Sequence, residues 1–333
     1  MFELKKRLEH VSIACNPREY IENEQNKVGR EAEKTFASHL QRDGGLTPLS
    51  IFYGLRVPDE YRSRRREIDL VLLHGSGIYT LEIKNWAGKV RLSRDKASWI
   101  QSRYKTADGG KVEYTQDIEH EDGLKSLRRK TRLLRDHLFR FDVVIPEQFF
   151  KPRVIFVNPN SDLDDELAQE PEVIAPKNCH EFVESFHRGY MKSVLDSFVP
   201  GFFTGLLSYS VLGQAQNALN SIGTWDIAEL NGGERLYGDF KECPYFSIDR
   251  KETECLELSH KRSRFASTTW ALLGYTPSVV VSFRQRGGTG WLWNTYRAVV
   301  NIPYDTEMTF RICGDEVDSK IMANDIERIL LSV

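Results

Sequence analysis

The chain has 333 residues, 40% hydrophobic and 28% charged, an ordinary globular balance with room for about two domains. A net charge of −2 excludes a bulk polycation, so any surface for nucleic acid has to be concentrated locally. Five scattered cysteines, with no CxxC pair, argue against a zinc knuckle or a disulfide scaffold and predict small buried thiols in an intracellular compartment, cytoplasmic or nuclear.

Met1 to Arg7 (MFELKKR) leads into more charge, so no secretory signal is expected, and residues 1–20 read as a charged, irregular extension. Val28, Ala32, Phe36 and Leu40 recur every four residues and predict a helix over Asn26–Gln41, stopped by Asp43, Gly44 and Gly45. Strands are expected over Ser50–Val57, Glu67–Leu73 and Ile78–Asn85, the last two joined by a turn at His74–Gly77. Val90–Arg103 predicts a further strand pair around Trp99, followed by a turn at Asp108–Gly110. Leu124, Leu127, Thr131, Leu134 and Leu138 mark one face of a helix over Leu124–Phe139. Val154–Val157 and Val173–Ala175 read as short strands.

Residues 181–221 look helical with a break near Pro200. Their uncharged stretch Phe198–Gly213 is too short to span a bilayer and carries Pro200, Gly201, Gly205 and Gly213, so membrane contact is not expected. From Trp225 the pattern is mostly β, with strands at Asp226–Leu230, Val279–Phe283, Tyr296–Ile302 and Met308–Ile312, and a short closing helix over Asn324–Leu331. Trp225-Asp226, Gly232-Gly233 and Gly238-Asp239 read as turns. His260 with Lys261, Arg262 and Arg264 reads as a surface patch, Gly287–Gly290 as a hairpin turn, and Trp291 and Trp293 as alternating strand residues. No catalytic constellation follows residue 180.

The chemistry concentrates in the second and third strands. A four-residue loop at 74–77 sets Leu73 opposite Ile78, and that register puts Asp69 opposite Glu82, with Cβ atoms about 4.5–5.5 Å apart. Two carboxylates so close repel unless a cation lies between them, and a hard divalent ion suits their oxygens. Alternation puts Glu82 and Lys84 on the face of Asp69, and Ile68, Leu70, Leu72, Tyr79, Leu81 and Ile83 on a dry opposite face. Two acids and a lysine on one face suit metal-assisted phosphodiester hydrolysis.

These residues resemble a known family. Asp69 followed by Glu82-Ile-Lys84 is similar to the D…ExK signature of the PD-(D/E)XK restriction-endonuclease-like superfamily. Gly29-Arg-Glu-Ala-Glu33, Glu67-Ile-Asp69 and Leu81–Asn85 with Trp86 and Gly88 resemble the nuclease-related domain, NERD, over roughly residues 26–160. The resemblance implies an α/β core with a mixed sheet flanked by helices. It implies DNA processing with Mg2+ or Mn2+, and a catalytic set of Glu33, Asp69, Glu82 and Lys84, with Asp69 and Glu82 on the metal. Glu31 is the alternative to Glu33 if the alignment slips by two. The family's Asn-Pro-x-x-Gln element is replaced here by Glu121-Asp-Gly-Leu-Lys125, with Gln116 nearby.

On this reading residues 1–180 form the nuclease domain, 181–222 a helical connector, and 223–333 a smaller β-rich domain able to take a protein partner. Two basic clusters flank the site and are expected to contact phosphates. One is Arg62 with Arg64, Arg65 and Arg66. The other is a helical stripe of Lys125, Arg128, Arg129, Arg132 and Arg135. A catalytically inactive module that binds nucleic acid or protein and retains the nuclease fold is the alternative.

Overall fold

The expected strand at 50–57 forms as β1 (Ile51–Pro58), and the two that follow as β2 (Arg65–His74) and β3 (Gly77–Lys84). The structure is a computed structural model that describes residues 2–16, 24–59, 65–106, 112–195, 206–260, 277–287, 296–313, 315 and 317–332. Arg62, Arg64, the turn at 108–110, the break at Pro200, the patch at 261–264, Gly288–Gly290, Trp291 and Trp293 lie outside the described residues. The chain divides into two units, residues 24–224 and residues 1–23 with 225–333.

In the first unit β1, β2 and β3 run antiparallel, and β7 (Phe150–Phe156) and β9 (Val173–Ile174) add in parallel, giving a mixed sheet of order β1-β2-β3-β7-β9. Leu70, Leu72, Leu81 and Ile83 meet Phe36, Ala37 and Leu40 of α2 (Glu24–Arg42) and Val183 and Phe186 of α5 (Cys179–Leu195). Val71, Leu73, Ile78 and Val154 pack with Leu127, Leu134 and Leu138 of α3 (Gly123–Arg140) and Ala215 and Leu219 of α6 (Tyr209–Asn220). Burial on both faces explains the near-continuous apolar run of β2.

α3 covers the face that bears the acids. One sequence expectation is corrected here. Ile68, expected with Leu70 and Leu72, belongs instead to the core cluster that contains Val71 and Leu73. A second sheet has the order β6-β5-β4-β8, built from β4 (Gly88–Leu92), β5 (Ser98–Thr106), β6 (Val112–Glu121) and β8 (Ser161–Leu163). The sequence reading left β6 unassigned, because its run of charged and polar residues offers little apolar alternation.

The β-rich unit is an eight-stranded sheet of order β14-β13-β12-β17-β10-β11-β15-β16, antiparallel throughout. Its strands are β10 (Asp226–Leu230), β11 (Arg235–Glu242), β12 (Thr253–His260), β13 (Ser278–Gln285), β14 (Tyr296–Pro303), β15 (Glu307–Ile312), β16 (Ser319–Met322) and β17 (Ile326–Leu330). The N-terminal segment is not irregular: Phe2–Cys15 forms α1, which places Ala14 in this unit's core and the His10 ring 5.7 Å from that of Tyr304. The closing helix is also overturned. Ala323–Asp325 is a 3-10 turn, and β17 then pairs with both β10 and β12. A register shift opposite Glu229 and Leu230 skips Glu327, so Ile326 and Ile329 are both buried although three residues apart, a spacing that imitates a helix. Gly232-Gly233 does form the turn after β10, whereas Asp226 and Gly238-Asp239 lie within strands.

Candidate nuclease centre

The hairpin keeps the expected register, with Leu73 opposite Ile78, although its loop tightens to Gly75-Ser76 and His74 pairs with Gly77. The β2–β3 ladder ends at Leu70↔Leu81, one step before Asp69 and Glu82. On the other side the β1–β2 pairing passes from Tyr53↔Leu70 to Leu55↔Ile68, so Asp69 has no ladder partner there either. Gly54, with φ of +54°, stands across from Asp69 in that ladder, whose register resumes unchanged at Leu55↔Ile68. Asp69 therefore sits where the β2–β3 ladder ends, and its Oδ2 accepts a hydrogen bond from the Ile83 backbone N–H at 2.8 Å.

Glu82 is held between two lysines. Lys84 Nζ donates to Oε1 at 2.9 Å, and Lys130 Nζ, from α3, donates to Oε2 at 2.7 Å. The three side chains are 13%, 21% and 15% exposed, respectively, so these contacts are shielded from water. Burial works against the charge of Glu82, but Lys84 and Lys130 overcome it and hold the carboxyl below its ordinary range. Asp69 goes the other way: burial and the neighbouring charge of Glu82 raise it well above the carboxylate range, against the pull of Lys130.

Glu33 completes the acidic set from the opposite layer. It lies three, four and seven residues before Phe36, Ala37 and Leu40, and so shares the inward face of α2. Burial, then Glu67 and Glu82, push its carboxyl up to about 7, with Arg30 and Lys84 opposing. Glu31 is exposed and lines a separate cleft of about 680 Å3 between α2 and α5. The structure thus brings Glu33, Asp69, Glu82 and Lys84 together. Among the described residues, no group of three or more His, Cys, Asp or Glu side chains is arranged to hold a metal ion.

Sequence reasoning missed Lys130. Its signal was its position three residues after Leu127 and four before Leu134, on the flank of the buried stripe. It also missed His120, which stacks on Trp86 with ring centroids 4.0 Å apart. Lys84 Nζ lies 5.3 Å from the centre of the Trp86 ring. Burial, then Lys84 and Arg103, hold the His120 imidazole below its ordinary range. Its Nε2 is 3.2 Å from Oε1 of Gln101, whose amide donates to the Ala87 carbonyl. Gln116, by contrast, is exposed on β6.

Much of the expected phosphate surface is tied to acids. Arg128 pairs with Glu172, Arg135 with Glu147 at 2.6 Å, and Arg129 with the fully buried Asp59 at 2.9 Å. Arg66 lies 3.9 Å from the same Asp59. Arg65, Lys125 and Arg132 are exposed.

A mixed sheet flanked by helices, with Asp69 on one strand and Glu82 and Lys84 on the next, is the arrangement of the PD-(D/E)XK class. Residues 28–157 match the family model described as NERD, nuclease-related domain, so this segment is a nuclease-related domain. No curated protein and no solved structure matches the chain. No helix among the described residues is long and apolar enough to cross a membrane.

Proposed function

We propose that this domain hydrolyses phosphodiester bonds in a divalent-metal-dependent reaction, with DNA as substrate and Mg2+ or Mn2+ as cofactor. The observation that carries the reading is the convergence of Glu33, Asp69 and Glu82, from three different elements, beside Lys84 in a largely buried centre. The donor set fits a hard cation. Asp69 and Glu82 supply oxygens, and Mg2+ is commonly held by one or two carboxylates, with water and substrate phosphate filling its shell. Burial first, with the charge of Glu82 added to it, raises both Asp69 and Glu33, so a cation close by would favour their ionised forms.

The bound ion would polarise a phosphate oxygen and acidify a water. Lys84 would orient that water and offset the phosphate charge, and Glu33 would accept a proton from it. Its pKa near 7 suits it to hold and release a proton at neutral pH. The exposed Arg65, Lys125 and Arg132 would contact the strand backbone, with Arg64 in the same sequence cluster.

The second reading, an inactive binding module, is favoured by the replacement of Asn-Pro-x-x-Gln and by the two lysines already occupying Glu82. The two readings separate on three variants. Asp69→Ala and Glu82→Ala are expected to abolish both metal binding and cleavage. Lys84→Ala is expected to abolish cleavage while metal binding persists or tightens, because it removes a cation and no ligand. Calorimetric titration with Mg2+ or Mn2+ and a nuclease assay decide between them. Metal binding unchanged in folded Asp69→Ala and Glu82→Ala proteins would leave the binding module standing.

A further inference from the structure

Lys130 is placed by its neighbours. Arg129 reaches the buried Asp59 at the end of β1, and Thr131 Oγ1 lies 2.5 Å from Thr80 Oγ1 of β3, inside the core. These two contacts fix the rotation of α3 about its axis, and the residue between them is directed at Glu82. The other carboxylate oxygen is already served by Lys84 from the same strand. One carboxylate thus faces two ammonium groups, while Asp69, whose charge also acts on Lys130, accepts a hydrogen bond from the Ile83 N–H. A buried ion pair is a weak source of stability, since desolvation offsets much of its attraction. A second lysine on Glu82 therefore calls for another account.

We propose that Lys130 is a resident counter-cation that competes with the divalent metal for Glu82 and so sets the metal affinity of the centre. The inference rests on the proposed function and extends it to a residue on α3, outside the hairpin. Lys130 Nζ stands 2.7 Å from an oxygen that a metal would share, and only 15% of the side chain is exposed. An ammonium and a dication a few ångströms apart in so dry a place repel strongly, and the repulsion weakens metal binding by about tenfold or more.

The test is a calorimetric Mn2+ titration of the full chain as wild type, Lys130→Met, Lys130→Gln and Lys130→Arg, with thermal melts to verify folding. Lys130→Gln keeps an amide donor near Glu82 without the charge, and guards against a fold lost in Lys130→Met. Each folded neutral variant is expected to bind Mn2+ about tenfold more tightly, and Lys130→Arg to stay near wild type. A folded Met or Gln variant that binds Mn2+ no more tightly overturns the proposal. Asp69→Ala run alongside separates the two levels. If it loses Mn2+ while Lys130→Met gains nothing, only the role of Lys130 falls. If it binds as the wild type does, the nuclease reading falls with it.

Discussion

Glu33 carries a pH signature that a single substitution can read. Burial, Glu67 and Glu82 raise it from an ordinary 4.5 to about 7. Between those values the folded protein keeps a proton that the unfolded chain has released, so stability falls as pH rises through that window. Glu33→Gln removes the penalty. With chelator present, it is expected to match wild type near pH 4 and to exceed it above pH 7 by on the order of 1–3 kcal/mol, read by denaturant unfolding. Equal stabilities at pH 8 would mean that Glu33 is not buried beside Glu82. At this scale the sequence distinguishes some residues and not others. The choice between Glu33 and Glu31 follows from helical spacing, because only Glu33 shares a face with Phe36 and Leu40. Lys130 was hidden in a run of six basic residues between 125 and 135, where exposure, the usual fate of such residues, conceals the one that turns inward.

The β2–β3 hairpin was legible because its alternation, its glycine-bearing turn and its register all agree. What alternation could not supply was the end of the β2–β3 ladder one step before Asp69 and Glu82. The turn offers its own test. Gly77 has φ of +141°, and a Cβ there would lie 2.3 Å from the Phe149 carbonyl oxygen. Gly77→Ala must push β3 away from the segment leading into β7, at a cost of about 2–4 kcal/mol. Thermal unfolding should show that loss, and metal affinity should fall with it because Glu82 and Lys84 ride on the same strand. An unchanged melting temperature would mean that the turn adopts another geometry. Elements whose partners are remote were the ones misread. Nothing in the local pattern of β17 reveals that it is flanked on both sides by strands, and a skipped residue gives it helical spacing.

On the scale of the whole chain, the succession of an α/β part and a β-rich part was visible in the shift of pattern near residue 225. The return of the first 23 residues to the β-rich unit was not. Its core residues lie more than two hundred positions from α1, and single-sequence periodicity carries no information over such separations.

The ion pairs of α3 have a consequence for how the protein would meet a polyelectrolyte. Binding to DNA releases condensed counterions, and the logarithm of the association constant falls with that of salt concentration by about 0.9 for each phosphate neutralised. Arg64, Arg65, Arg66, Lys125, Arg128, Arg129, Arg132 and Arg135 all acting on phosphates would give a slope of about −7. Arg66, Arg128, Arg129 and Arg135 are engaged with Asp59, Glu172 and Glu147, so their charges are already balanced within the fold. The expected slope is then about −3 to −4, measured by fluorescence anisotropy on a short duplex in chelator across a salt series. Replacing Glu147 and Glu172 with glutamine should steepen it by about two and speed association, since the acids themselves were quenching the field. A slope near −7 in the wild type would mean that these pairs open when DNA arrives. With the shallow slope, the domain would discriminate poorly among polyanions at a distance and retain its grip as ionic strength rises.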